Sequence, residues 1–262
     1  MSAARVSVEK RGHVLAIGIN RPEKRNAFDM AMIDALAAAY EQLGDDPEVR
    51  CGLLFAHGDH FSAGLDLAEV GPVVAEKGPA ALAGTRKYDP FGVWAPQVPK
   101  PVVMAVAGIA FTVSIELALA CDIVVAAEGV RFRQLEVGRG IMPFGGATLR
   151  APTRLTWGNA MRFLLTGEEL GAAEALRIGL VQEVVPHGKH VERAAQIAEL
   201  VAKQAPLGVQ ATLANSRVAV TSGIAAATEH LKAQLPSILA SEDAAEGVKS
   251  FLERREAVFQ GR

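Results

Sequence analysis

The fold is decided by a nearly uncharged stretch at residues 101–121, which has the sequence PVVMAVAGIAFTVSIELALAC. The stretch is long enough to span a bilayer, but the carboxylate of Glu116 would be costly in hydrocarbon. It also lacks the basic and aromatic flanks of a membrane span. The β-branched run before Gly108 instead predicts a buried strand, a turn and then a buried helix.

Glu116 is the only charged residue of this stretch, and its neighbours in the sequence offer no cation. An ionised carboxylate in an apolar setting must be paired, shifted in pKa or used in chemistry. Glu116 is therefore a candidate functional residue.

Further strands and helices are predicted on both sides of this stretch. Buried strands are expected at 13–20, 51–57 and 122–127. A helix is expected between Asp29, which can cap it, and Gly44, which can end it.

A turn that runs into a helix is expected at residues 60–67. Residues 71–99 contain five prolines and four glycines, which predict a long irregular segment. A last strand is expected at 180–186. Amphipathic, alanine-rich helices are predicted at 189–204, 208–219, 224–234 and 242–258. This order implies an α/β core over residues 1–190 and a C-terminal helical subdomain over residues 191–262.

The composition excludes several classes of protein. With 27 basic and 29 acidic residues and no run of like charge, no nucleic-acid partner is expected. The two cysteines, Cys51 and Cys121, form no CxxC motif, so neither a zinc site nor a disulfide framework is indicated. The first residues lack the apolar region of an export signal, and we expect a cytoplasmic protein without a membrane partner.

Common catalytic motifs match poorly. Residues 60–64, HFSAG, depart from the GxSxG motif of serine hydrolases at the first glycine. Residues 138–143 begin like a dinucleotide-binding GxGxxG motif but end in proline. His187 and His190 can chelate a metal, although exposed loop histidines beside a proline are more often solvated, and we expect no metal site.

Two turns carry a more specific signal. FSAGLDL, residues 61–67, and GIAFTVS, residues 108–114, each place a glycine where a helix is entered, which exposes backbone N–H groups. Two convergent N–H groups can polarise a carbonyl and hold an enolate oxygen. Taken alone, each turn is better explained as an ordinary helix start.

The chain resembles the crotonase, or enoyl-CoA hydratase/isomerase, superfamily over nearly its whole length. The resemblance implies a crotonase-like (ββα) spiral core with C-terminal helices. Its motifs, in order, are INRPEKRNAF (19–28), HFSAGLDL (60–67), KPVVMAVAG (100–108), ELALACDIVVAAE (116–128), FRQLEVGRGIMPFGGA (132–147), LTGEELGAAEALRIGLVQEVVP (165–186) and SEDAAEGVKSFLERREAVFQGR (241–262).

The resemblance implies roles for individual residues. Leu65 and Val113 match the two oxyanion-hole positions, which act through their backbone N–H groups. The positions that match the coenzyme A-binding part of the family are Lys24, Arg25, Ala27, Ala63, Gly64, Asp66 and Leu67. Lys24 and Arg25 are also explained as plain surface charges.

Glu116 and Glu136 match the two catalytic glutamates of hydratases. By this resemblance, Glu116 deprotonates the water that attacks the β-carbon of a trans-2-enoyl-CoA, and Glu136 supplies the proton to the α-carbon. The reaction uses no metal or redox cofactor, because coenzyme A is part of the substrate. Without the resemblance, Glu136 is equally well explained as an ion-pair partner of Arg133 or Arg139.

The match departs from hydratases at Thr112-Val113-Ser114, where those enzymes usually carry a glycine-rich turn, and at Phe144, where they carry a small residue. These side chains predict a tighter or differently shaped acyl pocket. Isomerisation, acyl-CoA hydrolysis and thioester binding with little turnover remain alternatives to hydration. The resemblance also implies a homotrimer or a dimer of trimers.

Overall fold

The computed structural model describes residues 4–83 and 86–262. Residues 84 and 85, which belong to the irregular segment predicted at 71–99, lie outside the described residues. The strands within the described part of the chain are β1 (Val6–Arg11), β2 (Val14–Ile19), β3 (Cys51–Ala56), β4 (Val102–Val106), β5 (Ile109–Phe111), β6 (Ile123–Ala127), β7 (Arg131–Arg133), β8 (Glu169–Gly171) and β9 (Glu183–Val185).

The strands form two sheets. The larger sheet has the order β1-β2-β3-β4-β6-β9, in which only β1 and β2 are antiparallel. The smaller sheet has the order β5-β7-β8, with β5 and β7 parallel. The predicted strands at 13–20, 51–57, 122–127 and 180–186 are confirmed as β2, β3, β6 and β9.

Helices surround these sheets, so the predicted α/β class is confirmed. Their bounds are α1 (Met30–Asp45), α2 (Leu67–Lys77), α3 (Val113–Ala120), α4 (Ala147–Arg154), α5 (Trp157–Thr166), α6 (Ala172–Arg177), α7 (His190–Ala202), α8 (Pro206–Leu239) and α9 (Glu242–Glu253).

The central strands of the larger sheet are buried on both faces. In β2, Leu15, Ile17 and Ile19 face the main core, which includes residues of α1 and α3, whereas Val14 and Ala16 face α7. Such two-sided burial is typical of parallel sheets. On α7 the buried positions are alanines four residues apart, which allow the helix to pack closely on the strands. These alanines are Ala194, Ala198 and Ala202.

Helix α1 forms as the sequence predicts. The carboxylate of Asp29 accepts a hydrogen bond from the N–H of Met32 at 2.7 Å, which satisfies a donor of the first helical turn. The predicted apolar positions, Met32, Ile33, Leu36, Tyr40 and Leu43, are all buried. The helix runs one residue past the predicted end at Gly44.

Residues 101–121 contain β4, β5 and α3. The prediction that a helix follows Gly108 directly was wrong, because β5 lies between them. This short strand forms through long-range pairing: the N–H of Ser62 donates to the oxygen of Ile109, and the N–H of Phe111 donates to the oxygen of Ser62. Within the described residues, no helix has the length and apolarity needed to cross a membrane.

Other element predictions need correction. Helix α2 extends through Lys77, into the segment that was predicted to be irregular. Strands β1 and β8 were missed because most of their side chains are exposed and give no buried-strand pattern. The helices predicted at 208–219 and 224–234 are parts of α8, which is interrupted only at Gly223. The subdomain boundary at residue 190 stays a prediction.

Gly108 shows why the turn between β4 and β5 requires glycine. Its φ is 61°, and a Cβ at this position would overlap the backbone oxygen of Asp59. Gly129 has a φ of 79°, but its Cβ would meet nothing within 4 Å.

We therefore expect Gly129→Ala to cost about 1 kcal/mol of unfolding free energy, from the backbone conformation alone. Gly108→Ala should cost about 1–3 kcal/mol more, because the Asp59 backbone must also move. Urea unfolding of the two variants at one protein concentration measures the difference. Equal losses would contradict the packing that we assign to this turn.

Candidate active site

Two loops are joined where residues 25–28 meet residues 63–66. The N–H of Ala63 donates to the oxygen of Arg25 at 2.9 Å, and the N–H of Phe28 donates to the oxygen of Gly64 at 2.8 Å. The N–H of Asp66 in turn donates to the oxygen of Phe28 at 2.9 Å. Since Phe28 bonds to the residues on either side of Leu65, the N–H of Leu65 points away from Phe28. It forms no hydrogen bond with any described residue.

The second turn runs from β5 into α3. Thr112 has a φ of 52° and a ψ of −114°, and its N–H donates to the oxygen of Arg133 at 2.9 Å. Val113 is the first residue of α3, so its N–H has no partner within the helix. That N–H likewise makes no hydrogen bond in the part of the chain that the structure describes.

The two turns are in direct contact. Gly64 has a φ of 106°, and a Cβ built on it would overlap the Thr112 Oγ1 atom. The hydroxyl of Ser114 also donates to the oxygen of Ser62 at 3.3 Å, which ties the first turn of α3 to the other loop. The structure thus brings together the turns that carry the N–H groups of Leu65 and Val113.

Glu116 lies within α3 and is only 2% exposed. Its Oε1 accepts hydrogen bonds from the N–H groups of Gly145, at 2.8 Å, and Ala147, at 3.1 Å. A Cβ on Gly145 would lie 2.6 Å from the Glu116 Oε2 atom, so any larger residue at this position would displace the carboxyl. Burial raises the pKa of Glu116 to about 7, against the opposing effect of the two N–H donors, and the charge of Glu136 also raises it.

Glu136 follows β7 and is 7% exposed. Burial raises the pKa of this carboxyl above its usual value. Its Oε2 atom is buried and has no hydrogen-bond partner among the described residues. The alternative of an ion pair with Arg133 or Arg139 is not observed in the described chain, and the Arg133 Nε donates instead to the oxygen of Gly167.

Both carboxyls are buried, which raises the pKa of each, and the charge of Glu136 further disfavours ionisation of Glu116. Such a pair loses its two protons in separate steps that belong to both groups. Between these steps it holds one proton, so one carboxyl can donate a proton while the other accepts one. This is the chemistry that the arrangement offers.

The predicted coenzyme A-binding residues lie on the joined loops. Lys24 and Arg25 are exposed in and after a short turn that begins at Pro22. Leu67 begins α2 and is also exposed. Asp66 has a structural partner, because its carboxylate lies 2.8 Å from the Arg21 guanidinium, which holds the pKa of Asp66 below its usual value.

The sequence analysis missed two buried residues that hold these loops in place. Arg21 is 5% exposed and contacts Asp66 and also Asp29, at 3.3 Å. The Asn26 side chain accepts a hydrogen bond from the N–H of Arg21 and donates hydrogen bonds to the backbone oxygens of His57 and His60. Both residues belong to the quoted motif at 19–28, but no local pattern marks an arginine or asparagine as buried.

Other parts of the chain do not add to this site. A cavity of about 1010 Å³ lies between the end of α7 and residues 256–260, and none of the predicted site residues lines it. Within the described residues, no group of three or more His, Cys, Asp or Glu side chains is placed to bind a metal.

Comparison with known proteins gives consistent results. The family model described as enoyl-CoA hydratase/isomerase matches residues 9–262. Carnitinyl-CoA dehydratase from Salmonella typhimurium (strain LT2) is 37% identical, over 97% of this chain and 97% of the relative.

Two solved structures are also similar. A probable enoyl-CoA hydratase/isomerase from Mycobacterium abscessus is 50% identical with a TM-score of 0.93, over 98% of this chain and 99% of that one. Enoyl-CoA hydratase from Mycobacterium tuberculosis H37Rv is 33% identical with a TM-score of 0.90, over 99% of this chain and 100% of that one.

The raised pKa of Glu116 predicts a pH-dependent stability. Between pH 4.5 and about 7 the unfolded chain releases this proton while the folded chain keeps it, so the unfolding free energy falls as the pH rises. Glu116→Gln removes this effect. We expect the stability of this variant relative to the wild type to rise by up to about 3 kcal/mol from about pH 4.5 to about pH 8.

Urea unfolding at the two pH values measures this change. The exposed Glu128→Gln variant, which makes the same change in net charge, serves as the control, with an expected change below about 0.5 kcal/mol. A pH-independent difference between Glu116→Gln and the wild type would show that the carboxyl is not destabilised by burial.

Proposed function

The chain belongs to the enoyl-CoA hydratase/isomerase family, and we propose that within it the chain is an enoyl-CoA hydratase that adds water reversibly to a trans-2-enoyl-CoA. The similarity to solved structures confirms the crotonase-like fold, and the chain is an enzyme of this family. The observation that carries the proposal is the pair of buried carboxyls, Glu116 and Glu136. Hydration needs both a proton acceptor and a proton donor, and this pair supplies them.

The thioester oxygen binds between the two free N–H groups in this proposal. The N–H of Leu65 and the N–H of Val113 donate to it, which polarises the conjugated double bond and stabilises the enolate that forms. The start of α3 adds the positive end of its helix dipole at Val113. Because both groups belong to the backbone, the hole does not depend on which side chains stand at positions 65 and 113.

Water is then added by the two glutamates. In the form of the pair whose one proton lies on Glu136, ionised Glu116 accepts a proton from the water as the oxygen bonds to the β-carbon, and Glu136 donates its proton to the α-carbon. The hydrogen bonds from Gly145 and Ala147 hold the Glu116 carboxyl in place throughout. One water is consumed, and the pair again holds one proton, on Glu116 instead of Glu136. Return of that proton to Glu136 completes the cycle.

The reverse reaction uses the same groups, since elimination of water passes through the same enolate. The name of the carnitinyl-CoA dehydratase relative, which is 37% identical, is consistent with a site of this kind. The proposed reaction is neither an oxidation nor a reduction of the thioester as a whole, so it calls for no redox cofactor, and the enolate is stabilised by N–H groups rather than by a metal.

In this proposal, coenzyme A binds on the joined loops. The backbones of Ala27 and Ala63 face its adenine end, and Lys24 and Arg25 lie near its phosphates. The remaining residues assigned to this surface are Gly64, Asp66 and Leu67. The exposure of both cations and the hydrogen bond between Ala63 and Arg25 support this placement, because they put the charges and the backbone of the two loops on one surface.

We also propose that the chain assembles as a homotrimer or as a dimer of trimers. Helix α8 buries only Pro206 and Ala227, and large apolar side chains of α8 and α9 are exposed. Among these are Ile224, Leu239, Phe251 and Leu252, each at least 67% exposed. An exposed apolar surface of this kind is typical of a surface covered by another subunit.

The glutamate roles predict the effect of conservative substitutions. Glu116→Gln and Glu136→Gln should each lower kcat for crotonyl-CoA hydration at least about a hundredfold, because each removes one proton-transfer step. The loss of the conjugated absorbance of crotonyl-CoA measures turnover, and Glu128→Gln is the matched control. Full activity in either variant would exclude the role proposed for that residue. Conversion of 3-enoyl-CoA in place of hydration would favour isomerisation.

The assembly predicts a mass three or six times the 27.6 kDa of the chain. Sedimentation equilibrium at micromolar concentration measures this mass. Phe251→Asp should weaken the assembly, because it places a charge on the apolar surface. A wild-type chain that sediments as a monomer would contradict the proposal.

A further inference from the structure

Thr112 has a backbone conformation that normally requires glycine. Its φ of 52° and ψ of −114° match the first central position of a type II′ turn, which is dominated by glycine. A β-branched residue at this conformation is an outlier. Such strain persists only where the surrounding structure enforces it, and it is concentrated at functional sites.

The surrounding backbone fixes Thr112 on both sides. Its N–H donates to the oxygen of Arg133 at 2.9 Å, and its own oxygen accepts the N–H of Ile115 at 2.8 Å. These two hydrogen bonds hold the backbone of Thr112 between β5 and α3. They therefore fix the direction in which its side chain leaves the backbone.

The side chain of Thr112 extends toward the other turn of the oxyanion hole. The Oγ1 atom occupies the position that a Cβ of Gly64 would need. Leu65 follows Gly64 in the chain, and Val113 follows Thr112, so the hydroxyl lies where the residues that precede the two N–H groups are in contact. Thr112 is only partly buried, and its hydroxyl forms no hydrogen bond with a described residue.

We propose that the Thr112 hydroxyl is a third hydrogen-bond donor of the oxyanion hole and binds the thioester oxygen together with the N–H groups of Leu65 and Val113. This inference rests on the proposed function, because it assumes that a thioester oxygen occupies that position. A hydroxyl has one proton to donate, and its hydrogen bond strengthens as negative charge develops on the oxygen. The side chain that replaces glycine therefore contributes to stabilising the enolate.

The test compares variants that separate the hydroxyl from the shape of the side chain. Thr112→Val keeps the shape and replaces the hydroxyl with a methyl group, and Thr112→Ser keeps the hydroxyl. Thr112→Gly removes the hydroxyl and also the backbone strain, so it folds even if the valine variant does not, and it should raise Tm.

The main measurement is the absorption spectrum of bound cinnamoyl-CoA, whose conjugated thioester absorbs at longer wavelength when its oxygen is polarised. If Thr112 only packed against Gly64, the Thr112→Gly variant would show the same red shift as the wild type. We expect a full red shift with the wild type and Thr112→Ser, and a smaller one with Thr112→Val and Thr112→Gly. For crotonyl-CoA, kcat should fall at least about tenfold in both variants that lack the hydroxyl, and KM should change less.

An undiminished red shift and wild-type kcat in Thr112→Val or Thr112→Gly would overturn the inference. The spectral outcome is independent of the reaction that is catalysed. If the wild type shifts the cinnamoyl-CoA spectrum but hydrates no enoyl-CoA, the proposed hydratase function fails while the role of Thr112 is still measured.

Discussion

The burial of the Glu116 carboxyl is the constraint on which the rest of the site depends. Helix α3 is buried around its whole circumference, and it places this group among core residues. A carboxyl there needs compensation, and the N–H groups of Gly145 and of Ala147, the first residue of α4, supply part of it. The compensation is incomplete, which is why the pKa stays near 7 and the group can both accept and release a proton near neutral pH.

The backbone carries much of the remaining chemistry. Leu65 and Val113 present free N–H groups because hydrogen bonds to Phe28 and to Arg133 orient the turns in which they lie. Arg21 and Asn26, both buried, hold the first of these turns through hydrogen bonds to Asp66 and to the backbone that precedes the turn. The geometry of the site therefore depends on buried polar contacts between distant parts of the chain, and the two oxyanion-hole donors are backbone groups.

The features that were predictable from sequence are those that depend on local pattern. The strands with both faces buried appear in the sequence as continuous apolar runs. Asp29 could be predicted as the residue that caps α1, because aspartate is a common N-cap residue. Strand β5 could not be predicted, because its three residues form a strand only by pairing with Ser62 and with β7. The buried pairing of Arg21 with Asp66, which are 45 residues apart, is equally invisible in the sequence. Glu116 was a candidate from its apolar surroundings alone, the roles of both glutamates came from family resemblance, and the burial of Glu136 came from the structure.

The central claim is that Glu116 and Glu136 hold one proton between them when the enzyme adds water. The pH dependence of kcat/KM for crotonyl-CoA tests this most directly, because it reports the ionisation of the free enzyme. The account predicts a bell-shaped profile in which kcat/KM declines as the pH rises through about 7, when the second carboxyl loses its proton. A kcat/KM that stays constant above that pH would contradict the claim.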